Sequence, residues 1–190
     1  MSAKSCGLPL MVLLLALAAG AAEFKQYLLK LSADDTFTVA ETKTWAVKVE
    51  RFMLLRHADV KVTPKTGAAF NLLLAFKCDT PDLGNFDSAE KMQRAVVQSA
   101  QKHLPDSVEP TVQLHQVNHR GRYGFYTVLT DASLANASQM PEGKFKFITR
   151  GMVRLSTDSA LGFTLQTNEV TSKEYQELLG YVLSFIQPAS

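Results

Sequence analysis

Cysteine is scarce in this sequence, which has only Cys6 and Cys78 in 190 residues. Cys6 lies in the N-terminal 21 residues, which we predict to be removed as a secretory signal, so the exported chain keeps Cys78 alone. One cysteine cannot form an internal disulfide. Because Cys78 follows the apolar run 70–76, we expect a buried, inert thiol rather than one that pairs with another chain.

A large excess of either charge is also missing. The chain has 20 Lys and Arg against 18 Asp and Glu, for a net charge of +2. Lys4 is the one charged residue in 1–21, so signal removal leaves 19 against 18, a net charge of +1. Proteins that bind nucleic acid generally carry a strong basic excess, so we predict no nucleic-acid partner.

No catalytic signature is found. The sequence lacks a nucleophile elbow, a zinc-protease helix and paired cysteines, and Gly143-Lys144 lacks the upstream glycine of a phosphate-binding loop. His115, Tyr126 and Asp131 could converge on one sheet edge, but polar residues at strand ends are usually structural. We therefore predict a protein that is not an enzyme and that holds no cofactor.

The pair His115 and His119 has the spacing of two zinc ligands on a helix. Here it falls in a predicted strand, 111–119, where four residues span about 13 Å. Zinc–nitrogen bonds of about 2.0–2.1 Å cannot bridge that distance. We therefore predict two solvent-facing histidines and no metal site.

Residues 1–21 have the parts of a secretory signal peptide: Lys4, the apolar run 8–18, and the small residues Ala19-Gly20-Ala21. The apolar stretch is shorter than the roughly 20 residues that cross a bilayer, and charged residues soon follow it. The pattern predicts a periplasmic or secreted protein of the bacterial cell envelope. No transmembrane segment is expected after signal cleavage.

The remaining chain predicts an N-terminal segment, 22–36, and a single domain, 37–187. The apolar residues of 22–36 have partly helical spacing, and we assign no type of secondary structure to this segment. Runs rich in β-branched and aromatic residues, broken by polar or Gly- and Pro-containing loops, predict strands. These strands are 37–39, 45–55, 59–63, 68–78, 111–119 and an antiparallel meander of 123–131, 144–157 and 160–168.

Two helices complete the expected fold. The first, 88–104, is capped by Asp87, and the second begins after a Thr171 cap and ends before Pro188. Strand 68–78 is apolar on both faces, so we expect Leu73 and Leu74 both to be buried, with a helix above and a helix below. The class is α+β, a central antiparallel sheet flanked by helices as an α/β/α sandwich.

A family resemblance is carried by Trp45-Ala-Val, the apolar run 70–76, YGFYTVLTD at 123–131, GFTL at 162–165 and SFI at 184–186. In this order they resemble the PsbP-like family, whose fold is shared by the photosystem II extrinsic subunit and a Ran-binding nuclear import factor. The chain looks most like uncharacterised periplasmic members from proteobacteria. The resemblance implies an accessory or binding protein and assigns no site residues.

Two neighbouring features are candidates for partner binding. A basic row lies on one face of strand 144–157 and consists of Lys144, Lys146, Arg150 and Arg154, with Ile148 and Met152 between its members. Loop 132–143 is longer than a hairpin needs. The row is either a docking patch, a solvated edge protected by charge, or a surface crossed by a helix. The loop either binds a partner or folds back on its own domain. The candidate residues are Arg120, Arg122, Leu134, Met140, Lys144, Lys146, Arg150 and Arg154.

The leading hypothesis is an exported accessory protein that binds another envelope protein or complex through loop 132–143 and the basic row. The alternative is a module that binds a small ligand or a lipid in a cavity between sheet and helix. A hydrolase of unfamiliar type ranks third.

The second helix has apolar residues at three- and four-residue spacing, and this apolar stripe yields a first prediction. Leu179 lies in the middle of the apolar positions, so its replacement by Ala is expected to lower the free energy of unfolding by about 2–5 kcal/mol. Denaturant unfolding measures this loss. A loss below about 0.5 kcal/mol, the range of ordinary surface substitutions, would show that the stripe does not face the core.

Overall fold

The computed structural model describes residues 24–31, 36–52, 57–65, 67, 69–78, 88–119, 122–156 and 159–185. Within these ranges the chain is mostly β-structure with two α-helices, which is broadly an α+β fold. The elements are β1 (Gln26–Lys30), β2 (Thr36–Ala40), β3 (Trp45–Phe52), β4 (His57–Pro64), β5 (Phe70–Cys78), α1 (Ala89–Gln101), β6 (His115–His119), β7 (Arg122–Thr130), β8 (Phe147–Arg154), β9 (Ser159–Thr167) and α2 (Lys173–Ser184).

Seven of these strands form one antiparallel sheet in the order β3-β4-β5-β9-β8-β7-β6. The predicted meander is confirmed, because β7, β8 and β9 are consecutive neighbours in it. The pairing of β5 with β9 runs from Phe70↔Thr167 to Cys78↔Ser159 and joins the meander to β3-β4-β5. The neighbouring strands β5 and β9, at the middle of the sheet, are therefore far apart in sequence.

The main core lies on one face of the sheet, which we name the first face. Successive strand residues point to opposite faces, and Leu72, Leu74, Leu161 and Leu165 all lie on this one with 0–1% of their surface exposed. Helix α2 packs here through Leu178, Leu179, Tyr175 and Val182. The Tyr175 hydroxyl lies 2.9 Å from the Thr149 hydroxyl of β8, which pairs two buried polar groups.

The two-stranded sheet β1-β2 packs on the same face. Leu29 and Val39 are fully buried in the main core. The Phe76 ring contacts Phe37 of β2 at 5.6 Å and Phe185, at the end of α2, at 5.4 Å. Aromatic contacts at these distances add to the energy of burial. Gln26–Lys30 comes from the segment 22–36, so that segment contributes a strand to the core.

The other face of the sheet, the second face, is covered over a smaller area. Helix α1 packs Met92 and Val96 on Phe125 of β7 and Met152 of β8. Met152 and Val153 are adjacent in β8 and belong to the second-face and first-face clusters respectively. The predicted possibility that a helix crosses Met152 is therefore correct.

The prediction that β5 is buried on both faces is wrong. Leu74 is 1% exposed, but Leu73, which points to the second face, is 44% exposed. Helix α1 lies over β7 and β8, and within the described residues no helix covers β5 on this side. The apolar residues of β5 suggested two buried faces because neither its neighbouring strands nor the position of α1 could be assigned from sequence.

Both helix caps lie one residue after their predicted positions. Ser88, rather than Asp87, caps α1 and accepts a hydrogen bond from the Lys91 amide. Ser172, rather than Thr171, caps α2 and accepts from the Tyr175 amide, while the Thr171 hydroxyl bonds Glu169. Ser and Thr both cap well, so adjacent candidates are difficult to separate by sequence.

Several predictions lie outside the described residues: the signal peptide 1–21, Asp87, Arg120 and Pro188. The side chains of Cys78, His119 and Arg122 are likewise not described. Neither helix of the described chain is long and apolar enough to cross a membrane.

Two glycines of adjacent strands yield a matched prediction about stability. A methyl group added at Gly151 would overlap the buried Phe163 ring and come within 2.7 Å of the Tyr126 Cβ. Gly151→Ala is therefore expected to lower the free energy of unfolding by about 1–3 kcal/mol.

Gly162→Ala is the control. Its added methyl would lie 3.8 Å from the Ala75 carbonyl oxygen and 4.0 Å from the Ala75 Cβ, which is ordinary contact. Its effect should stay within about 0.5 kcal/mol. Chemical denaturation of both variants tests the pair, and equal losses would contradict the packing described for the first face.

Candidate functional site

A groove of about 1010 Å³ lies on the second face, in the area that α1 leaves uncovered. Its floor is formed by strands β4, β5, β9 and β8, and α1 forms one wall through Ala95, Gln98, Ser99 and Lys102. The volume is at the upper end of the roughly 300–1,000 Å³ usual for ligand sites. Two other pockets lined by described residues are smaller, about 180 and 230 Å³.

The floor has two rows of cross-strand neighbours. The first row runs Lys61, Leu73, Thr164, Arg150, and the second runs Asp59, Ala75, Gly162, Met152. The middle of the floor therefore contains Leu73 and the small residues Ala75 and Gly162. The rows end in charged side chains at three positions and in Met152 at the fourth. The two small residues do not fill the groove, and Leu73 presents an apolar side chain at the centre of the floor.

The charges of the groove are mostly positive. Among its described lining residues, four basic side chains accompany two acidic ones, an excess of +2. Glu50 is already neutralised in part, because Lys48 donates to its carboxylate at 2.6 Å and lowers the pKa of that carboxyl. The lining charges are Glu50, Asp59, Lys61, Lys77, Lys102 and Arg150.

Arg150 is the most constrained of the cations. Its Nη1 lies 2.6 Å from the His103 Nε2, just beyond the end of α1. Since arginine has no acceptor, Nε2 accepts, which places the imidazole proton on Nδ1 and leaves the ring neutral. The Arg150 Nε is buried and has no hydrogen-bond partner among the described residues. Among the described residues no carboxylate forms an ion pair with this guanidinium.

Burial sets the electrostatics of this pair. Desolvation lowers the pKa of Arg150. The pKa of His103 is lowered by burial first and by the neighbouring positive charge of Arg150 second. A partly buried cation that meets a neutral histidine instead of a carboxylate is electrostatically unsatisfied. The arrangement can accept an anion.

The predicted basic row is largely engaged within the protein. Lys146 Nζ donates to the Ala135 carbonyl at 2.6 Å. Arg154 donates from Nε to the Ser156 carbonyl at 3.2 Å and stacks 5.5 Å from the centre of the Tyr123 ring. Lys144 is exposed. Of the row, Arg150 alone lines the groove.

The loop 132–143 presents little apolar surface. Leu134 is only 8% exposed, and Met140 is half-buried. Asp131 begins the loop and its Oδ1 accepts hydrogen bonds from the amide and the hydroxyl of Ser133. The apolar residue that suggested a binding loop therefore packs into the domain.

Of the three residues considered for catalysis, two lie side by side and Asp131 lies apart from them. His115 and Tyr126 are register partners on β6 and β7, and their rings stack at 4.9 Å. Asp131 lies beyond the end of β7 and bonds its own loop. Within the described residues no group of three or more potential metal ligands comes together.

Sequence reasoning missed most of the groove. Lys61, Leu73, Lys77, Lys102 and Gly162 were not selected as site residues. A signal was available in β5, whose second-face residues Asn71, Leu73, Ala75 and Lys77 begin and end with polar side chains. Such a pattern is typical of a face that water reaches.

Comparisons of the chain with known protein families, with curated proteins and with solved structures find no match.

His103 yields a prediction about pH. The folded protein holds the pKa of this histidine below 6.5, so the unfolded state binds more protons over the interval between the two values. The stability that the neutral form of His103 contributes is complete above about pH 6.5. It is lost as the pH falls through the pKa of His103 in the folded protein. The charged groups that act on the ring are Arg150, Asp106 and Lys102.

The native protein should therefore lose more thermal stability than His103→Gln when the pH falls from about 7.5 to about 5. Glutamine keeps a neutral acceptor for Arg150 but does not titrate. Thermal unfolding followed by circular dichroism gives both pH profiles. Parallel profiles would show that His103 is not held neutral beside Arg150.

Proposed function

We propose that this protein is an exported, non-enzymatic binding protein of the bacterial cell envelope, with the PsbP-like α/β/α sandwich as its fold. Its binding site is the groove on the second face, and its ligand has an apolar segment that lies on Leu73. The signal-like residues 1–21 and the absence of a catalytic signature support export and a binding role.

The observation that carries the proposal is the exposure of Leu73. This side chain is 44% exposed in a central strand of the sheet, at the bottom of a groove walled by a helix. A sheet face that only meets water usually carries polar side chains. Here Leu73, Ala75, Gly162 and Met152 form a continuous apolar area across three strands. Apolar concave surfaces with a few polar groups are the usual ligand sites of proteins.

A segment of a partner protein is the second candidate occupant. The uncovered strands β4, β5 and β9 give a strip of about 10–15 Å, from strand spacings of about 4.7–4.9 Å. This width matches one α-helix, which is about 10–12 Å across with its side chains. An envelope protein could therefore dock a helix beside α1. The groove has better support than loop 132–143, because Leu134 is buried there.

The groove is tested by filling it. Gly162→Phe places a ring on the floor, and the added Cβ itself meets only ordinary contacts. We expect this variant to fold and to lose at least about tenfold in affinity for a fatty acid such as decanoate, because the ring occupies the tail site. Isothermal titration calorimetry measures the affinity, and thermal unfolding checks the fold.

Gly180→Phe is the matched control, because Gly180 lies exposed on α2 with open space around it. It adds the same side chain on the far side of the molecule and should leave binding unchanged. A photo-crosslinker at position 73 in intact cells separates the candidates: adducts of lipid mass support the small ligand, and adducts with one protein support the partner helix. Unchanged decanoate binding in the Gly162→Phe variant would refute the groove as the site.

A further inference from the structure

We propose that the ligand of the groove is a monomeric amphiphile with an anionic head group, and that Arg150 holds this head group while the tail lies on Leu73, Ala75 and Gly162. This rests on the binding function proposed for the groove, and it adds the chemical class of the ligand and the residue that selects it.

The first support is the incomplete bonding of Arg150. A guanidinium has five N–H donors. At this site Nη1 reaches a neutral histidine, while the buried Nε has no partner within the described part of the chain. A buried donor without a partner costs free energy, and more so when it is charged. A carboxylate or phosphate in the groove beside Arg150 would supply the missing negative charge and an acceptor for guanidinium donors.

The second support is the position of Arg150 relative to the floor. It shares a row with Thr164 and Leu73, so a hydroxyl separates the cation from the exposed leucine. Two strand spacings, about 10 Å, lie between Arg150 and Leu73. A head group at Arg150 and Thr164 therefore continues directly into a tail on the apolar part of the floor.

The third support is the charge of the wall. Lys102 lines the groove near the end of α1 and is exposed, one residue before the His103 that contacts Arg150. Two cations thus meet at one side of the groove, where a cationic head group would be repelled. A neutral head group would leave the Arg150 charge unpaired.

The test compares three ten-carbon probes on the native protein: decanoate, decanol and decyltrimethylammonium. Calorimetric titration should give decanoate at least about tenfold tighter than decanol, the equivalent of one charge-assisted contact, and the cationic probe weakest. This comparison needs no variant, so it holds even if a substitution at Arg150 impairs folding.

Variants then assign the preference to one side chain. Arg150→Met should remove the preference for decanoate over decanol, and Arg150→Lys should keep part of it because the charge remains while the fork of donors is lost. Lys144→Met is the matched control, since Lys144 is an exposed cation that does not line the groove. It should leave all three affinities unchanged.

The outcomes separate the two proposals. Equal binding of decanoate and decanol, or a preference that survives in Arg150→Met, overturns the anionic head group. The groove function then stands, provided that Gly162→Phe still weakens binding at least about tenfold. Failure of all probes to bind overturns both. Sedimentation with phosphatidylglycerol vesicles completes the test: binding to vesicles without binding to decanoate would replace the monomeric amphiphile by a membrane surface.

Discussion

The pairing of β5 with β9 is the contact on which the rest of the structure depends. It joins β3-β4-β5 to the β6–β9 meander and makes one seven-stranded sheet from two parts of the chain. On the first face it brings Leu72 beside Leu165 and Leu74 beside Phe163, in the middle of the main core. On the second face the same pairing sets Leu73 beside Thr164 and Ala75 beside Gly162, so it creates the floor of the groove as well.

The two faces of the sheet are covered to different extents. Helix α2 and the β1-β2 hairpin seal the first face with a nearly continuous apolar layer. Helix α1 has a smaller apolar stripe and packs mainly on β7 and β8. Since burial of apolar surface is the main driving force of folding, the first face supplies most of the stability. The second face is then free to keep an open surface, and changes there should affect binding more than folding.

The strand order along the chain and both helices were predictable, because β-branched and aromatic runs and three- and four-residue spacings are local signals. The apolar stripes of α1 and α2 contain the residues that are buried, such as Met92, Val96, Leu178 and Val182. The strand β1 was not assigned because the spacing of Phe24, Tyr27, Leu28 and Leu31 in and around it also fits a helix. Of the basic row, Arg150 and Arg154 lie in β8, whereas Lys144 and Lys146 precede the strand. Lys146 and Arg150 bond a backbone carbonyl and a histidine that are distant in sequence, which local spacing does not reveal.

What the sequence determined by itself is which residues can be buried and in which type of element, because side-chain polarity and backbone preference are properties of short segments. What the tertiary structure decided is which faces are covered. Leu73 and Leu74 are adjacent leucines in one strand, and one is 44% exposed while the other is 1% exposed. The difference arises from where α1 comes to rest, over β7 and β8, which depends on packing between residues distant in sequence. The groove and the unsatisfied Arg150 are consequences of that placement.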